Sequence, residues 1–378
     1  MAVEELIRNK KYKIRVPTGY NGTKRTTHVE TVYGTRREVN IREQEIKLSL
    51  TNDIYIKKKN ITVGLYIDEW LKSKKDKIAP KTYKGYELYA KNIKEVLGTV
   101  KLSKLAPKML EDFYTWLKTN KNYAPKTIRH HQTLMNVLLN TAVKWEYISS
   151  NPNEKTEKVK VAKKEIECYS PEEVAKLVSA LDKECLKYRA LILLALDTGC
   201  RRGELTGLEW DDINLETGLV RINKTTQYIA GMGIFEKTPK TESSNRSIYI
   251  APSTLKVLKL YRVEQDKLKL RLGSKWENSK KVFTNNTGGF IHPNTPSTIF
   301  DNIIKRYNLR RINFHALRHT SISLQISTGI QTQIISKRAG HSNLSTTHSI
   351  YSHFFENSFK EVAQKMDAFI HAPTENIL

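Results

Sequence analysis

The tripeptide Ala-Pro-Lys occurs three times between residues 61 and 155, beginning at Ala79, Ala106 and Ala124. Proline suits the first turn of a helix, where its missing N–H would be unpaired anyway, but it disrupts a helix interior. Each copy therefore marks a helix start. Together with the preceding stretch "TVGLYIDEWLKS", the three copies predict a helical domain of four helices over residues 61–155.

The lysines of these tripeptides are Lys81, Lys108 and Lys126. A lysine in the first turn lies beside unpaired backbone N–H groups and the positive end of the helix dipole, a setting that binds phosphate. Ordinary helix initiation is the favoured explanation for any single copy. If the partner is a nucleic acid, the three lysines are candidate DNA-binding residues.

The chain of 378 residues carries 64 Lys and Arg against 39 Asp and Glu, a formal net charge of +25. The basic excess occurs in the N-terminal, central and C-terminal segments alike. This distribution indicates a polyanion that extends along the whole protein, such as nucleic acid. General solubility is the alternative explanation.

Membrane and secretory classes do not fit the sequence. The longest strongly apolar run, "ALILLAL" at 190–196, is far shorter than the roughly 20 residues that a span needs. The beginning "MAVEELIRNK" has acidic residues and no apolar stretch, unlike a signal peptide. Cys168, Cys185 and Cys200 form no C-x-x-C pair, which is typical of a reducing compartment. We therefore expect a cytoplasmic protein.

The helical domain has a different kind of segment on each side. Residues 1–60 predict a small β unit, with strands at "KYKIRV" and "THVETV", followed by a helix at "TRREVNIREQEIKLSL". This unit could read a DNA groove or cap the next domain. The polar, non-periodic stretch "SSNPNEKTEKVKVAKKE" predicts a linker, placed at 156–168. Residues 169–378 predict mostly helices with one small antiparallel sheet, beginning with a capping box of Ser170 and Glu173.

Two stretches of the third segment combine basic and polar groups suited to an anion. In "TGCRRGEL", Glu204 lies three residues after Arg201 and can orient its guanidinium for a two-pronged grip on phosphate, although a structural ion pair has the same pattern. In "NFHALRHTSISL", His315, Arg318 and His319 share one helix face. A zinc-protease motif needs Glu at position 316, which is Ala, and Arg318 would repel a metal ion. This face therefore favours an anion over a metal.

Two further residues matter only in combination with those stretches. Lys240 lies in the turn-rich "KTPKTESSNRSIYI", and Tyr351 follows the helix end at "AGHSNLSTTHSIYSH". Considered by itself, Lys240 is interpreted as a solvated turn residue, and Tyr351 as a half-buried packing residue. A tyrosine can also act as a covalent nucleophile when its proton is removed and its target is made electrophilic.

In chain order these stretches give Arg, Lys, His-x-x-Arg, Gly-His and Tyr, which resembles the tyrosine recombinase or phage integrase family over essentially the whole chain. The resemblance implies catalytic roles for six residues, namely Arg201, Lys240, His315, Arg318, His341 and Tyr351. Ala339 and Cys200 depart from the usual Leu and aliphatic residue, but neither replaces a reacting group. His319, His348 and His353 match no catalytic position.

The resemblance also implies an architecture. It is a mainly α, multidomain fold with an arm-binding domain of a β-sheet plus helix at 1–60, a helical, SAM-like core-binding domain at 61–155, and a mixed catalytic domain of mostly helices at 169–378. The implied reaction breaks and rejoins DNA strands through a 3′-phosphotyrosyl bond, without ATP, metal or other cofactor. A type IB topoisomerase, a telomere-resolving enzyme and a non-catalytic DNA-binding regulator are the competing functions.

The same resemblance implies partners. They are double-stranded DNA attachment sites of a prophage or mobile element, a homotetramer on two duplexes, an excisionase and a host DNA-bending protein, all in a bacterial cytoplasm at the nucleoid. After Tyr351, apolar residues recur at helical spacing at Phe355, Phe359, Val362, Met366 and Phe369. This tail helix docks either on a neighbouring protomer or on its own domain.

Overall fold

A computed structural model gives the architecture. It describes residues 3–7, 11–21, 24–51, 61–162, 166–237, 245–340 and a few positions between 363 and 371. The chain divides into two compact units, Met1–Lys163 and Lys164–Leu378. Within the described residues, no helix is both long and apolar enough to cross a bilayer.

The first unit begins with a three-stranded antiparallel sheet and one helix. The elements are β1 (Val3–Ile7), β2 (Lys11–Asn21), β3 (Lys24–Tyr33) and α1 (Arg36–Thr51), in the sheet order β1-β2-β3. The alternation in β2 buries Tyr12, Ile14 and Val16 against Val39 and Ile46 of the helix. The two predicted strands and the helix are confirmed. The first strand was not predicted, because its charged residues lack alternation and only pairing with β2 makes it a strand.

The predicted four-helix set follows and is confirmed. Its helices are α2 (Val63–Lys74), α3 (Pro80–Leu97), α4 (Pro107–Thr119) and α5 (Pro125–Lys144). Proline occupies the first turn of α3, α4 and α5, as the Ala-Pro-Lys copies predict. Apolar and aromatic side chains from all four helices form one core, in which Trp70, Tyr66 and Phe113 are fully buried.

The chain after α5 stays in contact with that helix. Asn151, Asn153 and Thr156 are buried. Gln132 on α5 donates to the Glu157 carbonyl (2.8 Å) and accepts from the Val159 N–H (3.1 Å). The first part of the predicted linker is therefore hydrogen-bonded to the helical region. The assignment of residues 156–168 as a linker stays a prediction.

The second unit is mostly helical. Its helices are α6 (Pro171–Leu181), α7 (Leu186–Thr198), α8 (Arg202–Gly207), α9 (Pro252–Leu272), α10 (Thr295–Arg306), α11 (Ala316–Ser327) and α12 (Thr332–Ala339). The capping box is present, since the Ser170 N–H donates to Glu173 (2.8 Å) and Ser170 accepts from the Glu173 N–H (3.3 Å). Helix α7 supplies the centre of the core, where Leu191 and Ile192 are fully buried.

The strands of this unit form two sheets. The strands are β4 (Leu219–Ile222), β5 (Thr225–Ile229), β6 (Gly233–Lys237) and β7 (Arg246–Tyr249), and β4 pairs with β7 while β5 pairs with β6. The prediction of a small antiparallel sheet from these strands is confirmed, and the described strands form two pairs rather than a single sheet. Local alternation identifies strands, whereas the pairing of β4 with the distant β7 depends on the tertiary fold.

Candidate active site

Arg201 is positioned by the way α7 ends. Gly199 adopts the left-handed conformation (φ 62°), which a residue without a Cβ adopts without strain, and terminates the helix. Arg201 then takes an extended backbone (φ −68°, ψ 148°) as the residue that precedes α8. The sequence "TGCR" thus turns the chain sharply at this point.

A buried carboxylate orients Arg201. Glu204 accepts from the Arg201 N–H (2.9 Å) and from Nη1 (2.8 Å). Arg201 Nη2 donates to the Gly340 carbonyl at the end of α12 (3.0 Å). The Arg201 side chain is 42% exposed, against 6% for Glu204. The carboxylate therefore holds the guanidinium from within while leaving one side of it open.

Arg246 on β7 is a second partner of this carboxylate, a role that was not predicted from the sequence. Its Nη2 donates to Glu204 Oε2 (2.9 Å), and its Nε donates to the Arg338 carbonyl of α12 (2.7 Å). Burial alone would raise the pKa of Glu204, but Arg246 and Arg201 outweigh it and hold that pKa below its usual value. The arginine that closes the stretch "KTESSNR" was the only signal in the sequence, and nothing in that stretch links it to Glu204.

Arg318 lies in the interior beside Arg201. It is only 3% exposed, and its Nη1 donates to the Gly199 carbonyl (2.7 Å). Among the described residues, its buried Nη2 has no hydrogen-bond partner. Burial and the charge of Arg201 lower its pKa to about 10, so it remains a cation at neutral pH. A buried guanidinium with an unpaired nitrogen has a strong preference for an anion.

Two histidines, His315 and His319, lie near enough to this guanidinium to feel its charge. His315 immediately precedes α11, and its ring centroid lies 5.0 Å from that of His319. Burial of the ring and the charges of Arg318 and Arg201 lower the pKa of His315. Burial and the neighbours His315 and Arg318 lower the pKa of His319 to about 4. Both imidazoles are therefore neutral at physiological pH.

The structure thus brings four of the predicted site residues together, namely Arg201, Glu204, His315 and Arg318. Lys240, His341 and Tyr351 lie outside the described residues. In the chain, Lys240 stands between β6 and β7, and His341 directly follows Gly340, which ends α12 in the left-handed conformation (φ 70°).

The candidate DNA-binding lysines are placed as predicted, in the first turns of their helices. Lys81, Lys108 and Lys126 are all exposed. Lys108 forms an ion pair with Asp112 (2.9 Å) one turn later. Any phosphate at Lys108 would compete with that carboxylate, which makes Lys81 and Lys126 the better-placed candidates.

The chemistry of the site follows from its charges. Two guanidiniums and a neutral imidazole can bind one tetrahedral anion and neutralise charge that accumulates on it. In the parts of the chain that the structure describes, no group of three or more His, Cys, Asp or Glu side chains could hold a metal ion. The two departures from the family pattern, Cys200 and Ala339, are both buried beside the site and carry no charge at neutral pH.

Two family profiles match the chain. The phage integrase family matches residues 168–358, which is half of the chain, and the phage integrase SAM-like domain matches residues 62–161. Among curated relatives, a tyrosine recombinase XerC-like protein of Caldanaerobacter subterraneus is 29% identical, covering 90% of this chain and 92% of that protein.

Solved structures share the fold. The integrase of transposon Tn1549, in complex with a circular intermediate DNA, gives a TM-score of 0.69 at 18% identity, covering 80% of this chain and 99% of that one. The lambda integrase tetramer bound to a Holliday junction gives a TM-score of 0.56 at 17% identity, covering 90% of this chain and 96% of that one. The prediction of a mainly α, multidomain integrase fold is confirmed.

Proposed function

This chain belongs to the phage integrase family and is a tyrosine recombinase that breaks and rejoins DNA, and we propose that Tyr351 is the nucleophile of its strand transfer. The observation that carries the proposal is the pair of arginines. Arg201 is oriented by a buried carboxylate, and beside it Arg318 has a nitrogen without a hydrogen-bond partner among the residues that the structure describes. Such a pair fits the scissile phosphate of a DNA strand.

In the proposed reaction, Arg201 and Arg318 bind the non-bridging oxygens of that phosphate. Charge accumulates on these oxygens as the nucleophile approaches, and donors fixed in advance stabilise it without reorganising. The carboxylate of Glu204 keeps Arg201 in place but, being buried, does not meet the phosphate. His341 would donate one further hydrogen bond to the phosphate.

The Tyr351 oxygen attacks phosphorus in line with the departing 5′-oxygen. A phosphorus–tyrosine ester bond forms and the phosphorus–O5′ bond breaks. The neutral imidazole of His315 accepts the phenol proton, and the ammonium of Lys240 gives a proton to O5′. The products are a 3′-phosphotyrosyl bond and a free 5′-hydroxyl.

This reaction conserves its energy in the new ester, so the proposed mechanism uses neither ATP nor metal. Attack by the 5′-hydroxyl of a different strand reverses the step and exchanges the DNA partners. Because two duplexes exchange two pairs of strands, we expect four protomers to assemble. The tail helix after Tyr351 would dock between them or on its own domain.

The N-terminal regions would supply DNA contacts outside the site. Residues 1–60 are assigned as the arm-binding domain. The face of their sheet opposite α1 carries Lys11, Lys13 and Arg15, and the residues of β3 paired with them are exposed. In the core-binding assignment for residues 61–155, Lys81 and Lys126 contact phosphates. A linker at 156–168 would join them to the catalytic domain at 169–378.

The biological setting is also part of the proposal. The substrates would be attachment sites of a prophage or other mobile element in a bacterial cytoplasm, at the nucleoid. An excisionase and a host DNA-bending protein would set the direction of recombination by shaping the DNA.

The test is the substitution Tyr351→Phe, assayed on a nicked attachment site that traps the covalent adduct. We expect the variant to form no adduct while it binds the same DNA with nearly unchanged affinity, because only the nucleophilic oxygen is lost. Tyr249→Phe, at an exposed position on β7, is the matched control and should react normally. A protease-sensitive adduct on Tyr351→Phe would refute the proposal.

The same assay separates the competing functions. Relaxation of supercoiled plasmids that lack an attachment site would favour a type IB topoisomerase, and closed hairpin products would favour a telomere-resolving enzyme. Site-specific binding without any adduct in the unaltered chain would indicate a DNA-binding regulator.

A further inference from the structure

The hairpin of β5 and β6 packs closely on α8, the helix that begins next to Arg201. A Cβ added at Gly203 would lie 2.5 Å from the Thr225 hydroxyl, and one added at Gly207 would lie 3.2 Å from the Thr225 Cα. The hydroxyls of Thr206 and Thr226 are hydrogen-bonded across the same contact. Glycines thus let the strand approach the helix backbone directly.

A buried lysine joins the far ends of these two elements. The Lys281 side chain is only 1% exposed. Its ammonium donates to the Gly207 carbonyl at the end of α8 (2.9 Å), to Glu209 Oε1 (2.9 Å) and to Glu236 on β6. All three N–H groups of the ammonium therefore have a partner.

Stability alone is a poor reason for such an arrangement. A buried ammonium loses its hydration, and an apolar side chain of similar volume commonly serves a core as well or better. What the three bonds do provide is a fixed geometry between α8 and β6. This geometry matters because Lys240 follows Glu236 by only four positions.

We infer that Lys281 is a positioning residue, which fixes the strand that leads to Lys240 relative to the helix that begins at Arg201. The inference rests on the proposed function, in which Lys240 protonates the leaving 5′-oxygen. Lys281 itself touches neither DNA nor the reacting atoms. Its loss should impair the one step that needs the Lys240 proton and leave phosphate binding at Arg201 and Arg318 intact.

A change in the leaving group isolates that step. With sulfur in place of the bridging 5′-oxygen, the phosphorus–sulfur bond breaks and a 5′-thiolate departs. Thiols have a pKa of about 8.5, so the thiolate leaves without a proton. A variant that is slow only because its general acid is displaced should be rescued by this substrate.

The experiment measures single-turnover cleavage of both substrates by the full chain. In Lys240→Ala, loss of general acid catalysis should slow cleavage of the oxygen substrate by about a hundredfold or more. In Lys281→Met and Glu236→Gln, the slowing should be about tenfold, because a small displacement of a catalytic group is costly. On the sulfur substrate, all three should react within about twofold of the unaltered chain, because no proton is required.

Lys280→Met is the matched control, since this neighbouring lysine is exposed and far less constrained. It should cleave both substrates normally. If Lys281→Met does not fold, Glu236→Gln still tests the inference. Glu236 is partly exposed, so its substitution does not disturb the core.

The outcomes are distinguishable. If Lys240→Ala is rescued by sulfur but Lys281→Met and Glu236→Gln stay slow, the positioning role is refuted while the proposed function stands. If both variants cleave the oxygen substrate at the normal rate, the positioning role is refuted as well. If Lys240→Ala itself is not rescued, its assignment as general acid fails, and the role of Lys281 fails with it.

Discussion

The helical region at 61–162 and the catalytic region at 166–340 bury different kinds of polar group. Among the described residues of the helical region, the buried polar side chains are amides, one histidine and one threonine, including Asn92, His131 and Asn151. The catalytic region also buries neutral polar groups, mostly hydroxyls, but in addition it buries ionic side chains, namely Glu204, Asp212, Lys281 and Arg318. Both regions have large apolar cores, so the difference does not arise from core size.

The difference shows what each region has to hold in place. Neutral amides join helices through short hydrogen bonds at modest cost, as in the Asn92–His131 pair (2.9 Å). Buried charges need partners, and two of those in the catalytic region, Glu204 and Arg318, connect distant segments at the anion site. In the helical region the buried polar groups thus hold helices against one another. In the catalytic region the buried ionic groups also hold charged side chains in position.

The strongest test of this contrast is removal of one buried charge. Arg246→Met leaves the buried Glu204 with Arg201 alone and frees the Arg338 carbonyl. We expect a loss of about 3–5 kcal/mol in the free energy of unfolding of the catalytic region, because an uncompensated buried charge is costly. Denaturant titration read by hydrogen exchange of peptides from each region measures this locally.

The counterpart in the helical region is Asn151→Ala. Asn151 donates to Asn136 and Asn140 (both 2.7 Å) and accepts from the Asn153 N–H (2.9 Å). Its removal should cost only about 1–3 kcal/mol, since neutral groups are left unpaired. Equal losses in the two variants would contradict the contrast between the regions.

The next largest effect concerns pH. The folded protein keeps His319 neutral down to about 4, whereas its ordinary pKa is 6.5. Below 6.5 the unfolded chain takes up the proton first, so folding stability falls as the pH decreases from 6.5 towards 4. His319→Gln should remove up to about 3 kcal/mol of that decrease.

Thermal unfolding of His319→Gln at pH 7 and pH 5 measures this dependence. The exposed His371→Gln serves as the control, and its pH dependence should equal that of the unaltered chain. A pH dependence left unchanged by His319→Gln would show that the buried histidine does not control acid stability.

The smallest effect belongs to the surface of the helical region. Lys126→Ala should reduce the slope of log affinity against log salt by about one, because one phosphate contact is lost. Lys118→Ala, which changes an exposed lysine in the last turn of α4, should leave the slope unchanged. Fluorescence anisotropy with core-site DNA at several salt concentrations measures both slopes.

Local signals in the sequence were sufficient for much of this fold. Pro80, Pro107 and Pro125 fixed three helix starts, and Gly199 and Gly340 fixed two helix ends, because each depends on the conformation of one residue. The Arg201–Glu204 pair was predictable for the same reason, since its partners are three residues apart.

Contacts between distant segments were not predictable in this way. Arg246 meets Glu204 across 42 positions, and Lys281 meets Gly207 across 74. No pattern in the sequence singles out either residue from the many other basic residues. The pairing of β4 with β7 was missed for the same reason, because it depends on how the chain returns rather than on the pattern of either strand.

The hydrogen bond from Arg201 to the Gly340 carbonyl has a kinetic consequence. It fixes one end of the following segment at the anion site, and Tyr351 stands eleven positions further along. Whatever its conformation, a chain of that length reaches no more than about 40 Å. In the proposed reaction, a phenol on so short a tether would have an effective local concentration on the order of millimolar, so its attack would be a unimolecular search within a small volume.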